Sequence, residues 1–215
     1  MSENREQKFN RLGWVVAAAL AGVLIGGGFQ SAESKIGVVN IAEVVEKSEF
    51  GRRSQEEFNT MKTAREAVLE FIDTYRVLTV EQATKFRDLS LKTNATAAER
   101  AELDRLKAEV IAADRRSKEL SIKTNLTPEE RQLMQEYATR SQQMQEITQR
   151  WFREFTQQMQ SWADAQRLQS LERARAAVQE TARAQGFTVV FETGIAPFGA
   201  NDLTEASLRA MNARR

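Results

Sequence analysis

Phe187-Thr188-Val189-Val190-Phe191, set off by Gly186 before it and Gly194 after it, is the run that decides the fold. It is short, β-branched and aromatic, and it reads as a strand. The other run of this kind is Lys35-Ile36-Gly37-Val38-Val39-Asn40, near the opposite end of the chain. A single strand has two open edges and is not stable alone. The two runs must therefore pair, and everything between them must go out and come back. From about Arg52 that intervening sequence is helical for well over a hundred residues. The spacing predicts an α+β fold, mostly α, in which a long antiparallel helical hairpin projects from a small β body.

The hairpin is read from its periodicity and its interruptions. Steps of three and four from Phe58 pass through Met61, Arg65, Val68, Ile72, Tyr75, Thr79, Gln82, Phe86 and Leu89, a mostly apolar seam with polar interruptions. A second run holds Leu103, Leu106, Val110, Ala113 and Leu120. A third, from Tyr137 to Val178, is wider than a heptad seam. A repeat marks the breaks: Leu89-Ser90-Leu91-Lys92-Thr93-Asn94-Ala95-Thr96-Ala97-Ala98-Glu99-Arg100 returns as Leu120-Ser121-Ile122-Lys123-Thr124-Asn125-Leu126-Thr127-Pro128-Glu129-Glu130-Arg131. Each copy carries a capping box, Thr96 with Glu99 and Thr127 with Glu130, and Pro128 suits a first helical position. Breaks are thus expected near 93–96 and 124–127. Either break can be the reversal; one at 93–96 leaves badly unequal legs, whereas one at 124–127, with 93–96 as a hinge, gives an outgoing leg of about 52–122 and a return leg of about 128–185. Each leg is then on the order of 80–100 Å at 1.5 Å per residue. Asn94-Ala95-Thr96 and Asn125-Leu126-Thr127 also match the N-glycosylation pattern, but a helix stop followed by a cap accounts for every residue in them.

The hairpin arm is assigned to 51–185, with 35–50 and 186–215 left for the body. These 46 residues make a small body to fold alone without staples, and the chain has no cysteine to staple them. Oligomerisation is the expected remedy. Its body residues are Ile36 and Val38 from the first run and Phe187, Val189 and Phe191 from the second. The C-terminal stretch reads as a short helix over Ala206–Met211 capped by Thr204.

The first 34 residues form a separate element. Arg5, Lys8 and Arg11 precede Leu12 to Phe29, a run without a charge, and Ala32-Glu33-Ser34 follows. A basic flank before an apolar run is a signal peptide or a signal anchor. The run spans about 27 Å at 1.5 Å per residue, and five glycines weaken it as a permanent span. Export with cleavage between Gly28 and Ser34 is expected. If the segment is retained, residues 12–29 are the membrane contact.

Composition removes most chemistry. There is no His and no Cys among 215 residues, so the common general base, thiolate nucleophile and transition-metal ligands are missing. No phosphate-binding loop occurs outside the leader, and Glu56-Glu57 and Glu129-Glu130 diverge on a helix. No enzyme activity and no cofactor are expected. The formal net charge is +1, without the basic excess of a nucleic-acid binder. Residues 1–32 hold three basic and two acidic side chains, so the exported part is neutral. Arg52-Arg53 and Arg115-Arg116-Ser117-Lys118 have acidic neighbours and read as solvated helix faces.

The ordered set of end segments resembles the Skp/OmpH family of periplasmic chaperones. The set is a signal, then Lys35 to Asn40, then Ser48-Glu49-Phe50-Gly51 opening a long helix. After the helices come Gly186 to Phe191 and finally Asp202-Leu203-Thr204. The resemblance implies a homotrimer whose helical arms enclose unfolded outer-membrane proteins in the periplasm without ATP. Two features depart from the family pattern. The arm is long, with the repeat as the added length, and the exported part is neutral rather than basic. Lipopolysaccharide binding is therefore not carried over.

A client surface is also suggested by the residues themselves. Between Met134 and Trp162 lie three Met, two Trp, two Phe and a Tyr, side chains suited to adaptable surfaces. A hairpin seam needs about two apolar positions in seven, and 151–162 has more. Met144, Trp151, Phe152, Phe155, Met159 and Trp162 are the candidate client contacts, against the plainer reading that they pack across the hairpin. The alternative function is an inner-membrane-anchored coiled-coil stalk or envelope assembly scaffold.

Overall fold

A computed structural model describes residues 35–214; the expected leader and its expected cleavage sites lie outside them. The described chain divides into two compact units, 35–44 with 175–214, and Val45–Ala174.

In the first unit, strand β1 (Ile36–Val39) pairs with β2 (Val189–Glu192). The pair is parallel, with Ile36 opposite Val189 and Val39 opposite Glu192. A parallel pair cannot be closed by a tight turn and needs a crossover; the whole helical region serves as that crossover. The chain enters β2 through a left-handed glycine. Gly186 has φ +73°, its N–H donates to Arg183 O (3.2 Å), and the Phe187 N–H donates to Ala182 O (2.9 Å). This is a Schellman ending, which takes up the last free carbonyls of a long helix. The second edge of β1 is also covered. Val38 N–H donates to Asn201 O, and Leu203 N–H donates to Val38 O, both at 2.8 Å.

Asn40 then starts helix α1 (Ile41–Lys47) by accepting the Glu43 N–H on its side-chain oxygen at 3.1 Å. The Asn40 N–H needs an acceptor where β1 ends, and the Thr204 hydroxyl provides it at 2.9 Å. Thr204 is therefore not the cap expected from sequence. The C-terminal helix begins at Thr204 itself and runs to Ala213 without a side-chain cap, and the Thr204 N–H donates to Asp202 Oδ1 at 2.8 Å.

The second unit is helical. Ser48 caps α2 (Glu49–Thr74): its Oγ accepts the Gly51 N–H at 2.9 Å and donates to Val45 O at 2.7 Å. Only glycine fits at 51, because a Cβ there would stand 2.1 Å from Val45 O. The Phe58–Tyr75 periodicity is α2's inner face, with Val68 and Ile72 fully buried. Beyond Tyr75 the expected continuous leg does not exist. Thr79 caps a new helix, α3 (Val80–Ser90). Its hydroxyl accepts the Gln82 N–H at 3.1 Å, and the Gln82 side chain accepts the Thr79 N–H at 3.0 Å. Leu78 before the cap and Ala83 after it are both fully buried, as a hydrophobic staple requires.

Helix α3 doubles back along α2, stacking Phe86 on Phe71 with ring centroids 4.1 Å apart. The expected break follows, and Thr96 caps α4 (Ala97–Ile122) with Glu99. Ion pairs Lys92–Glu99 and Lys85–Glu102 set α4 antiparallel to α3. The second break lies at 123–127. There Thr127 Oγ1 accepts the Glu130 N–H at 3.2 Å, and Glu130 accepts the Thr127 N–H at 3.1 Å. Helix α5 (Pro128–Ala184) then runs 57 residues, about 85 Å, antiparallel to α2. Ser54 meets Gln166, Phe58 meets Trp162 and Arg65 meets Gln158. The outgoing leg is thus a zigzag. α2 and α4 run outward with 26 residues each, about 39 Å apiece, and the 11 residues of α3 run back about 16 Å between them, so the leg's net reach of about 62 Å is shorter than α5. Where they overlap, Val68, Ile72, Phe86, Leu106, Met144 and Trp151 belong to one core.

Candidate functional site

Within that overlap, α5 faces several helices rather than one, and this settles much of the candidate surface. Met144 is 0%, Trp151 2% and Phe155 5% exposed. The Arg87 guanidinium lies 4.7 Å from the Trp151 ring centroid, and that of Arg65 5.6 Å from Phe155. These three side chains are core, which corrects their assignment as client contacts. The reason is the turn at 75–79: with α3 and α4 also packed in, α5 needs the wide apolar stripe of a bundle helix. A two-helix seam underestimates that need. Phe152, one residue and about 100° on from Trp151, is 60% exposed. Met159 and Trp162 are half-buried, and Trp162 rests on Phe58 with centroids 6.1 Å apart.

Phe152 stands over a cavity of about 300 Å³ between α2 and α5, walled by Phe58, Leu69, Phe155 and Met159. Arg65 crosses its floor. Its Nη1 donates to Met61 O at 3.3 Å and its Nη2 to Gln158 Oε1 at 3.4 Å. Its Nε is buried without a partner. Lys62 and Glu66, 3.8 Å apart, form the rim. A second cavity of about 480 Å³ shares Leu69 and Phe152 and adds Glu70, Asp73, Thr148 and Arg153. The two make one furrow with an apolar floor and a rim of both charges. It can hold side chains by contact; it presents no convergent pair of groups for bond chemistry.

The β unit carries a second apolar surface. Val38 is buried, but Ile36 is 50%, Val189 42% and Phe191 39% exposed. The register places all four on one face of the pair. Phe187 lies half-buried on the other side, beside Gly37, with Lys35 Nζ 4.2 Å from its ring centroid. Ile195 and Phe198 are exposed still further, at 77% and 90%. They belong to a loop that Gly199 seats against the Val38 side chain. The sequence reading did not single them out; an apolar pair inside a Gly- and Pro-bearing loop was the available signal.

Residues 35–211 match the family model described as Outer membrane protein (OmpH-like). The chain belongs to that family. No curated protein and no solved structure matches. OmpH-like proteins are periplasmic chaperones without enzyme activity, and the match takes in both units described above. Among the described residues no helix is long and apolar enough to cross a membrane.

The two repeated corners of the OmpH-like arm carry the same pair of charges beside their threonine caps. Lys92 beside Glu99, with the Thr96 N–H, lowers the Glu99 carboxyl from 4.5 to about 2. Lys123, then the Thr127 N–H and Arg116, lower Glu130 in the same direction. Lys85 does so for Glu102. The basic residues Arg116 and Lys118 are occupied on the helix surface by Glu130 and Asp114, so this cluster is a solvated, neutralised face.

Proposed function

We propose that the chain is an ATP-independent holdase that keeps unfolded outer-membrane proteins soluble in the periplasm. The observation that supports this most is Phe152, a large aromatic ring 60% exposed over an apolar furrow that the fold itself leaves unfilled. A single exposed apolar side chain is ordinary on a protein surface; this ring borders an unfilled apolar furrow, which suits a chaperone that binds by many weak contacts. The working form is a homotrimer. Ile36, Val189 and Phe191, joined by Ile195 and Phe198, are the surface that a second and third copy would cover. Residues 1–34 direct export and are removed.

The test is the Phe152→Ser variant. Suppression of aggregation of a urea-unfolded β-barrel protein should fall several-fold, while helix content and oligomer size stay unchanged. Unaltered suppression, or a melted arm, would contradict the assignment. Trp162 is unsuited to this test, because its contact with Phe58 belongs to the packing.

A further inference from the structure

We infer that the α2–α5 furrow is a docking groove for one extended segment of six or seven residues that carries an aromatic side chain beside Phe152. The inference rests on the holdase reading and specifies the form in which a client is held.

Length comes first. From Phe58 to Asp73 the furrow follows α2 for about 22 Å at 1.5 Å per residue. An extended chain rises about 3.3 Å per residue, so six or seven residues fill it. The order of its lining comes second. The Phe58 end is apolar, with Leu69, Phe152 and Met159 around a cavity of about 300 Å³. The Asp73 end is polar, with Glu70, Thr148 and Arg153. Charges of both signs line the rim, so the groove offers a partner to either sign on the outward side of a segment. The aromatic preference comes third. A ring entering the cavity would meet the edge or face of Phe152, Phe58 and Phe155, with the Arg65 guanidinium below. Aromatic pairs and cation–π contacts add to simple burial in such a setting.

A chain that alternates apolar and polar residues puts one kind on each side when extended. Transmembrane β-strands have that alternation and carry aromatic residues at their ends. The occupant is therefore a strand end of an unfolded β-barrel protein.

The chain has no cysteine, so a single introduced one is a unique handle. Thr156 lines the groove beside Phe152, whereas Glu154 lies about 200° around α5 from Phe152. Benzophenone is attached at Thr156→Cys or Glu154→Cys, and a urea-unfolded β-barrel protein of known sequence is the probe. The expected result is a cross-link at least fivefold stronger from 156 than from 154. It should map to strand ends with an aromatic residue and drop at least fivefold when Phe152→Ser is added. Equal yields, mapping to loops, or cross-links mainly between copies of this chain would overturn the groove. If suppression of aggregation persists in those cases, the holdase reading stands without it. If the unaltered chain suppresses no aggregation, both fall together.

Discussion

At the scale of single residues, the repeated corners are the places where one side chain decides local structure. Thr127 closes the corner between α4 and α5 by accepting the Glu130 N–H. Loss of a threonine cap costs about 1 kcal/mol. Thr127→Ala should therefore raise amide exchange over 128–134 while the distant Phe71–Phe86 stack keeps its protection. Unchanged exchange there would mean the cap contributes nothing. The other corner gives a pH test with a definite sign. Glu99 is lowered to about 2 by Lys92 and the Thr96 N–H, below its ordinary 4.5. A depressed carboxyl stabilises the corner fully above the ordinary value and loses that contribution as pH falls from about 4.5 toward 2. Amide protection at 97–100 should decline across that window. Glu99→Gln keeps a side chain that can complete the capping box but has no charge for Lys92, so the decline should disappear. A window that survives in the Gln variant would assign the effect to another group.

At the scale of elements, the β pair has two kinds of strand position. Thr188 N–H donates to Lys35 O at 2.9 Å, so by alternation Val190 N–H also faces β1 and Val189 N–H faces away. Proline at 190 removes a ladder donor, whereas proline at 189 occupies only the outer edge. Val190→Pro should abolish the amide protection of Gly37 and Val39. Val189→Pro should leave it intact and, if the outer edge of β2 pairs with another copy, should still reduce assembly. Loss of protection in both variants would contradict the register. The pairing of the two runs was legible because each alone is unstable, and both corners of the repeat were legible because a capping box is a local signature. The turn at 75–79 was not read, although Thr79-Val80-Glu81-Gln82 has the same signature. Thr79 and Gln82 fall on the three–four steps of the Phe58 seam and read equally as its polar interruptions. That ambiguity carried into the candidate site. A two-helix seam needs fewer apolar positions than 144–162 supplies, so Trp151, Phe155 and Met144 read as surplus beside the plainer reading of packing across the hairpin. With α3 packed in as well, as Arg87 over Trp151 shows, they are core. Phe152 was the candidate whose exposure did not depend on the number of neighbouring helices.

At the scale of the whole molecule, the decisive quantity is the apolar surface that the β unit leaves outside. Ile195 at 77% and Phe198 at 90% exposure contribute little to folding of one copy, and Ile36, Val189 and Phe191 contribute only in part. Burial of such side chains is worth roughly 1.5–3 kcal/mol each, which a unit this small cannot easily forgo. If three copies cover this surface, folding and association are one equilibrium, and stability depends on concentration. Two copies are recruited per trimer, so each tenfold dilution should lower unfolding free energy by about 2.7 kcal/mol of trimer. Calorimetry across a hundredfold dilution should show the melting temperature falling, with sedimentation following the mass down from trimer. The double variant Ile195→Ser and Phe198→Ser tests the surface itself. Both side chains are mostly exposed in one copy, so helix content should survive while the dissociation midpoint moves to higher concentration. A melting temperature independent of concentration, together with a monomeric mass, would remove the trimer. The arm would then have to hold clients as a single copy, and the furrow beside Phe152 would be its whole binding surface.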